Sequence, residues 1–155
     1  MALRWRRDGR TASMSYAELA RWVEAATAWL SAEGVRRGDV VGILSRNRPQ
    51  WAIADLAVLS LGGRVVPLYH TLPAGYLQYM MNDCGMKMLV VGDSDLMAAM
   101  SSAGGSVPTL ESTVLLDDDV LRDGPDAFSA GRAPGRVEDV DPDEVATIVY
   151  TSGTT

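Results

Sequence analysis

The spacing of apolar residues changes repeatedly along the chain, and each change predicts an element. From Tyr16 to Ala32, Leu19, Trp22, Val23, Ala26 and Leu30 recur at helical spacing and make one apolar face. Ser15 and Glu18 head that run as S-x-x-E, a capping box in which each side chain takes up an orphan backbone N–H. Gly34 stands just past its end, where a left-handed residue stops a helix. Ahead of it, Ala2 to Arg6 and Ala12 to Met14 flank the turn signal Asp8-Gly9 and predict a short hairpin. After Gly38-Asp39 the run Val40, Val41, Ile43, Leu44 is nearly continuous, as in a strand buried on both faces. Pro49 then opens a helix to about Leu61, closed by Gly62-Gly63. Strands follow at Val65 to Leu68, Met88 to Val91 and Thr113 to Leu116. Between them lie helices from Pro73 through Leu77, Met80 and Met81, and from Asp93 to Met100.

Strands alternating with helices of this length imply parallel crossovers, so the fold class is α/β: a mostly parallel sheet flanked by helices. The stretch from Asp117 to Glu144 breaks the rhythm with prolines, glycines and acids, and reads as a long surface loop with one helical turn near Ala127-Phe128. Val145 to Tyr150 is expected to return as a buried strand, followed by Thr151-Ser152-Gly153-Thr154-Thr155. Ligands of parallel sheets bind beyond the carboxyl ends of the strands, in such turns. The sequence stops inside one, which reads as truncation of a larger domain. Cutting a sheet there is expected to leave apolar faces uncovered and the chain prone to associate.

Length and charge narrow the classes. The 155 residues suit one domain, and 47% apolar with 22% charged side chains is ordinary for a globular protein. A net charge of −6 argues against nucleic-acid binding, which needs clustered cations. Cys84 is the single cysteine and has no partner for an internal disulfide, which fits a reducing compartment. There is no signal-like start, and the apolar stretch from Trp51 to Gly63 is too short to span a bilayer. The default location is cytoplasmic.

Thr151 to Thr155 are the candidate binding residues. A strand running into glycine and hydroxyls can wrap an anion, because glycine lets the backbone approach while N–H and O–H groups point at phosphate oxygens. Such runs are also common as plain turns, and neither G-x-x-x-x-G-K-[ST] nor G-x-G-x-x-G after a strand occurs here. The segment Asp143-Glu144-Val145-Ala146-Thr147-Ile148-Val149-Tyr150-Thr151-Ser152-Gly153-Thr154-Thr155 resembles the signature of the adenylate-forming superfamily, the acyl-CoA synthetases, adenylation domains and luciferases. Met14-Ser15-Tyr16-Ala17-Glu18-Leu19 is similar to that family's Thr-Tyr-x-Glu-Leu helix start. Leu61-Gly62-Gly63-Arg64-Val65-Val66-Pro67-Leu68-Tyr69 resembles its Gly-Ala-Val-x-Val-Pro-Leu segment, with Gly63 where Ala is usual. Gly38-Asp39-Val40-Val41 and Asn47-Arg48-Pro49-Gln50-Trp51 resemble the long-chain fatty acyl-CoA ligase branch, from which His70 departs by standing where Pro is usual.

The resemblance implies that residues 1–155 are the N-terminal portion of an AMP-binding domain. It implies a two-step ligase in which a carboxylate attacks the ATP α-phosphate, and the thiol of coenzyme A then displaces AMP, with Mg2+ assisting. Thr151, Ser152, Gly153, Thr154 and Thr155 would belong to the loop over the β- and γ-phosphates. The family's loop lysine would lie just past Thr155, and Lys87, the only lysine, cannot be given that role. No catalytic or metal-binding residue is assigned within the chain, which by itself is expected to be inactive. The alternatives are another carboxylate adenylator (an aryl-acid ligase or a carrier-protein-loading domain) and a non-catalytic α/β binding module.

The other candidates have simpler readings. His70 lacks a G-x-S-x-G elbow and reads as a loop or packing residue. Cys84 lies beside Asp83, which raises a thiol pKa, so it reads as inert. Asp117-Asp118-Asp119 lacks the spacing of a calcium loop and reads as a solvated turn. Arg4, Arg6, Arg7 and Arg10 could touch an anionic membrane surface, but a charged hairpin edge suffices to explain them. Met80, Met81, Met86 and Met88 read as core.

Overall fold

The computed structural model describes residues 1–7, 9–102, 105–116, 124–133, 135 and 139–151. Helix α1 (Tyr16–Ala32) begins where the capping box predicts. Glu18 N–H donates to Ser15 Oγ at 3.2 Å, and Ser15 N–H donates to the Glu18 carboxylate at 2.7 Å. Those bonds from the Ser15 backbone and side chain hold the Glu18 carboxyl below its usual range. Before α1, strands β1 (Leu3–Arg7) and β2 (Arg10–Met14) pair antiparallel, with Leu3 opposite Met14. Leu3, Trp5 and Met14 pack towards α1, while Arg4 and Arg6 are exposed. Asp8 of the expected turn lies outside the described residues.

The main sheet is parallel, in the order β4-β3-β5-β6, from β3 (Val40–Leu44), β4 (Arg64–Leu68), β5 (Met88–Val91) and β6 (Ser112–Leu115). Helices α2 (Pro49–Ser60), α3 (Ala74–Asp83) and α4 (Ser94–Ser102) make the connections. Successive strand residues serve opposite faces. Val41, Ile43, Met88 and Val90 meet Trp22, Leu30, Ile53 and Val58 of α1 and α2. Val40, Leu44, Leu89 and Val91 meet Leu77, Met80, Met81 and Leu96 of α3 and α4. Every residue of β3 is buried, as the unbroken apolar run predicts. Gly42 is required at its centre, because a Cβ there would come within 2.5 Å of the Met86 sulfur. The four clustered methionines are all core.

Helix α5 (Gly124–Ser129) occupies the predicted helical turn within the long loop and docks on α1, with Arg21 Nη2 2.7 Å from Asp126 Oδ2. Gly135 lies against α1, where a Cβ would stand 2.6 Å from the Thr27 carbonyl carbon. Asp117 to Asp119, read as a solvated turn, lie outside the described residues.

The expected buried strand at Val145 to Tyr150 is corrected by the structure. Thr147 makes an isolated parallel bridge with Val65, and Val145 and Val149 are 57% and 55% exposed. Proline supplies the reason. Val65 N–H donates to Ala146 O and Val65 O accepts from Ile148 N–H, both at 2.9 Å, so Val65 turns its polar groups outward. The next outward residue on β4 is Pro67, which has no N–H for the Ile148 carbonyl, and the ladder stops. Ile148 and Tyr150 still pack against the α3 side of the core, while the alternate valines have no described element over them.

Gly63→Ala would restore the residue usual in the family pattern, yet it is expected to destabilise this chain. The new Cβ would lie 2.8 Å from Val58 Cγ1 and 3.2 Å from Val58 O, and a helical valine has little rotamer freedom to yield. We expect a loss of about 1–3 kcal/mol in urea unfolding; an unchanged midpoint would contradict this packing.

Candidate functional site

In a parallel sheet the chemistry is expected at the carboxyl ends of the strands, most of all where the strand order reverses. Here the chain passes from β3 to β4 on one side and then to β5 on the other, so the reversal lies between β3 and β5. That crevice is filled by the chain itself. Asp93 Oδ1 accepts from Leu96 N–H at 2.9 Å and caps α4. Its other oxygen accepts from Arg46 Nη1 at 2.7 Å and lies 3.8 Å from Arg48 Nη2. Arg48 Nη1 donates to Gly92 O at 2.6 Å, and a Cβ on Gly92 would stand 2.1 Å from Ser45 Oγ. Arg48 and Asp93 are mostly buried, so this pairing seals the edge.

The segment that leads to the candidate loop lies along the other edge of β4. Arg37, in the turn before β3, donates to the Asp139 carbonyl at 2.9 Å and pairs with Glu144, which holds the start of the 139–151 segment. The bridge at Val65 holds its middle. Tyr150 holds its end, donating its hydroxyl to Asp83 Oδ2 at 2.6 Å, with the Met80 carbonyl 3.3 Å away. Thr151 follows immediately and is exposed, with a hydroxyl of the kind that suits phosphate oxygens. Ser152, Gly153, Thr154 and Thr155 lie outside the described residues.

The remaining candidates fall elsewhere. Lys87 sits at the amino ends of β3 and β5, 3.1 Å from Asp39 Oδ2 and 3.7 Å from Glu111 Oε2. Cys84 is half-buried at the end of α3; burial is the main cause that pushes its thiol up, and the neighbouring Asp83 charge contributes least. His70 is exposed. Among the described residues no group of His, Cys, Asp and Glu could hold a metal ion, and no helix is long and apolar enough to cross a membrane. Reading the sequence missed the pairs Arg37–Glu144 and Tyr150–Asp83, whose members stand 107 and 67 positions apart. No local pattern announces such pairs.

The model of the AMP-binding enzyme family matches residues 1–155. Long-chain-fatty-acid–CoA ligase FadD15 of Mycobacterium bovis is 32% identical over 160 aligned residues, covering 96% of this chain and 26% of the ligase. A plipastatin synthase polypeptide of Bacillus subtilis is also 32% identical, over 92% of this chain and 5% of that protein. Among solved structures, the N-terminal domain of FACL13 from Mycobacterium tuberculosis superposes with a TM-score of 0.75 at 22% identity, covering 91% of this chain and 35% of the other. The chain therefore spans about a quarter of the length of the FadD15 ligase it matches.

Asp93→Ala removes the α4 cap and leaves two arginines without their shared carboxylate. We expect it to lower unfolding stability by about 2 kcal/mol. Asp93→Asn, which keeps a cap acceptor, should recover part of that loss in the same denaturant titration.

Proposed function

The chain belongs to the AMP-binding enzyme family, and from that premise we propose that it is the N-terminal portion of the AMP-binding domain of an ATP-dependent acyl-CoA synthetase. The whole enzyme would adenylate a fatty carboxylic acid and transfer the acyl group to coenzyme A, releasing AMP and pyrophosphate. What supports this most is the 32% identity to a long-chain-fatty-acid–CoA ligase across 96% of the chain.

In this reading residues 1–150 are scaffold. The parallel sheet and its helices form a rigid base, and the tethered 139–151 segment presents Thr151, Ser152, Gly153, Thr154 and Thr155 to the β- and γ-phosphates of ATP. Hydroxyls and backbone N–H groups there would donate to phosphate oxygens and orient the α-phosphate for attack. The donor set of that loop fits an anion. Mg2+ would supply charge neutralisation on the same oxygens, from ligands outside the described residues. The acyl pocket and the coenzyme A site are likewise assigned to the remainder of the domain. A cytoplasmic location belongs to the same proposal.

A second reading has its own support. The equal identity to the plipastatin synthase polypeptide favours another carboxylate-activating enzyme that loads a carrier protein. Chain-length discrimination separates the two, because a fatty acyl pocket gains affinity with each buried methylene, by about 0.8 kcal/mol.

The test is ATP–pyrophosphate exchange by the full-length enzyme with acids of graded chain length. We expect exchange that rises with chain length and, once coenzyme A is added, formation of the acyl thioester with release of AMP. Exchange driven by amino acids, with no acyl thioester formed when coenzyme A is added, would favour the second reading. The 155-residue chain alone should give no exchange, and measurable turnover by it would refute the assignment of residues 1–150 as scaffold.

A further inference from the structure

The 139–151 segment carries the candidate loop but is only lightly held. Past Ile148, its hydrogen-bonded tether among the described residues is a side chain, the Tyr150 hydroxyl on Asp83 Oδ2 at 2.6 Å. The ring packs among the α3 side of the core, which a phenylalanine would do equally well. The hydroxyl therefore adds something other than packing: it ties the residue before Thr151 to the last residue of α3. Burial, and then the hydrogen bond to Asp83, push the tyrosine hydroxyl well above its ordinary range, so it stays protonated and donating through neutral and mildly alkaline pH. Cys84 follows Asp83 directly, half-buried, and it is the only cysteine in the sequence.

We propose that Tyr150 and Asp83 are positioning residues for ATP. Their hydrogen bond fixes the direction in which the backbone leaves the sheet at Thr151, and with it the placement of the phosphate loop. Geometry makes the effect strong. A small rotation at Tyr150 redirects the adjoining Thr151 backbone, and a hydrogen bond to a phosphate tolerates little displacement. The proposal rests on the acyl-CoA synthetase reading and deepens it, because that reading alone says nothing of Asp83 on α3.

The experiment uses the enzyme at the length its host makes. Tyr150→Phe should raise the KM for ATP about tenfold, the loss expected for one hydrogen bond to a charged acceptor. The KM for the acid and the thermal midpoint should hardly move. Asp83→Ala should match it, Asp83→Asn should restore part of the ATP affinity, and the double variant should be no worse than either single one. Cys84 gives an independent readout: a thiol-disulfide reagent should label it faster in Tyr150→Phe, and ATP should slow labelling in the wild type but not in the variant. Because the hydroxyl pKa is raised, the wild-type KM for ATP should show no tyrosine ionisation between pH 7 and about 10.

An active wild type whose KM for ATP is unchanged in both Tyr150→Phe and Asp83→Ala overturns the latch alone. So does a fall in thermal midpoint with no KM split. A wild type that performs no ATP–pyrophosphate exchange overturns the ligase reading, and the latch with it. If Tyr150→Phe fails to fold, the Asp83→Asn and Asp83→Ala pair decides.

Discussion

Strand β3 is buried along its whole length, with β4 on one edge, β5 on the other, and helices over both faces. A parallel strand in that position cannot tolerate a polar face, and each helix must therefore bring an apolar stripe of matching shape. The fit is tight enough that Gly42 has no side chain and the Met86 thioether takes the space above it. The order of the strands, the alternation of α1 and α2 with α3 and α4, and the burial of the methionine cluster all follow from covering this strand twice.

The same constraint relaxes at the sheet edge, where the segment leading to Thr151 lies. Pro67 ends the outward ladder of β4 after a single bridge, so the segment leading to Thr151 does not become an interior strand. It is held instead by side chains from other elements, Arg37 at its start and Tyr150 with Asp83 at its end. Its end is tied to the last residue of α3, and a single bridge rather than a ladder joins it to β4.

At the switch point between β3 and β5 the reverse holds. Arg46, Arg48 and Asp93 are drawn together there, and the arginines spend their charge on an internal carboxylate. The general rule for open α/β sheets names that crevice as a ligand site. In this chain it is a seam that locks α4 to β3.

The local elements were legible in the sequence, because each depends on interactions within a few residues. The capping box of Ser15 and Glu18, the helical period of α1 and the unbroken apolar run of β3 are short-range patterns, and the structure realises them with almost the same bounds. The serine, threonine and glycine run at the end pointed to an anion through its chemistry and its resemblance to a family signature. What tertiary structure alone decided was how these pieces meet. An apolar run such as Val145 to Tyr150 cannot disclose that its neighbour will present a proline where a donor is needed, nor that its last tyrosine will find Asp83. Such pairings are set by which strand edges and helix ends the packing of the core brings together, and no local periodicity encodes that distance.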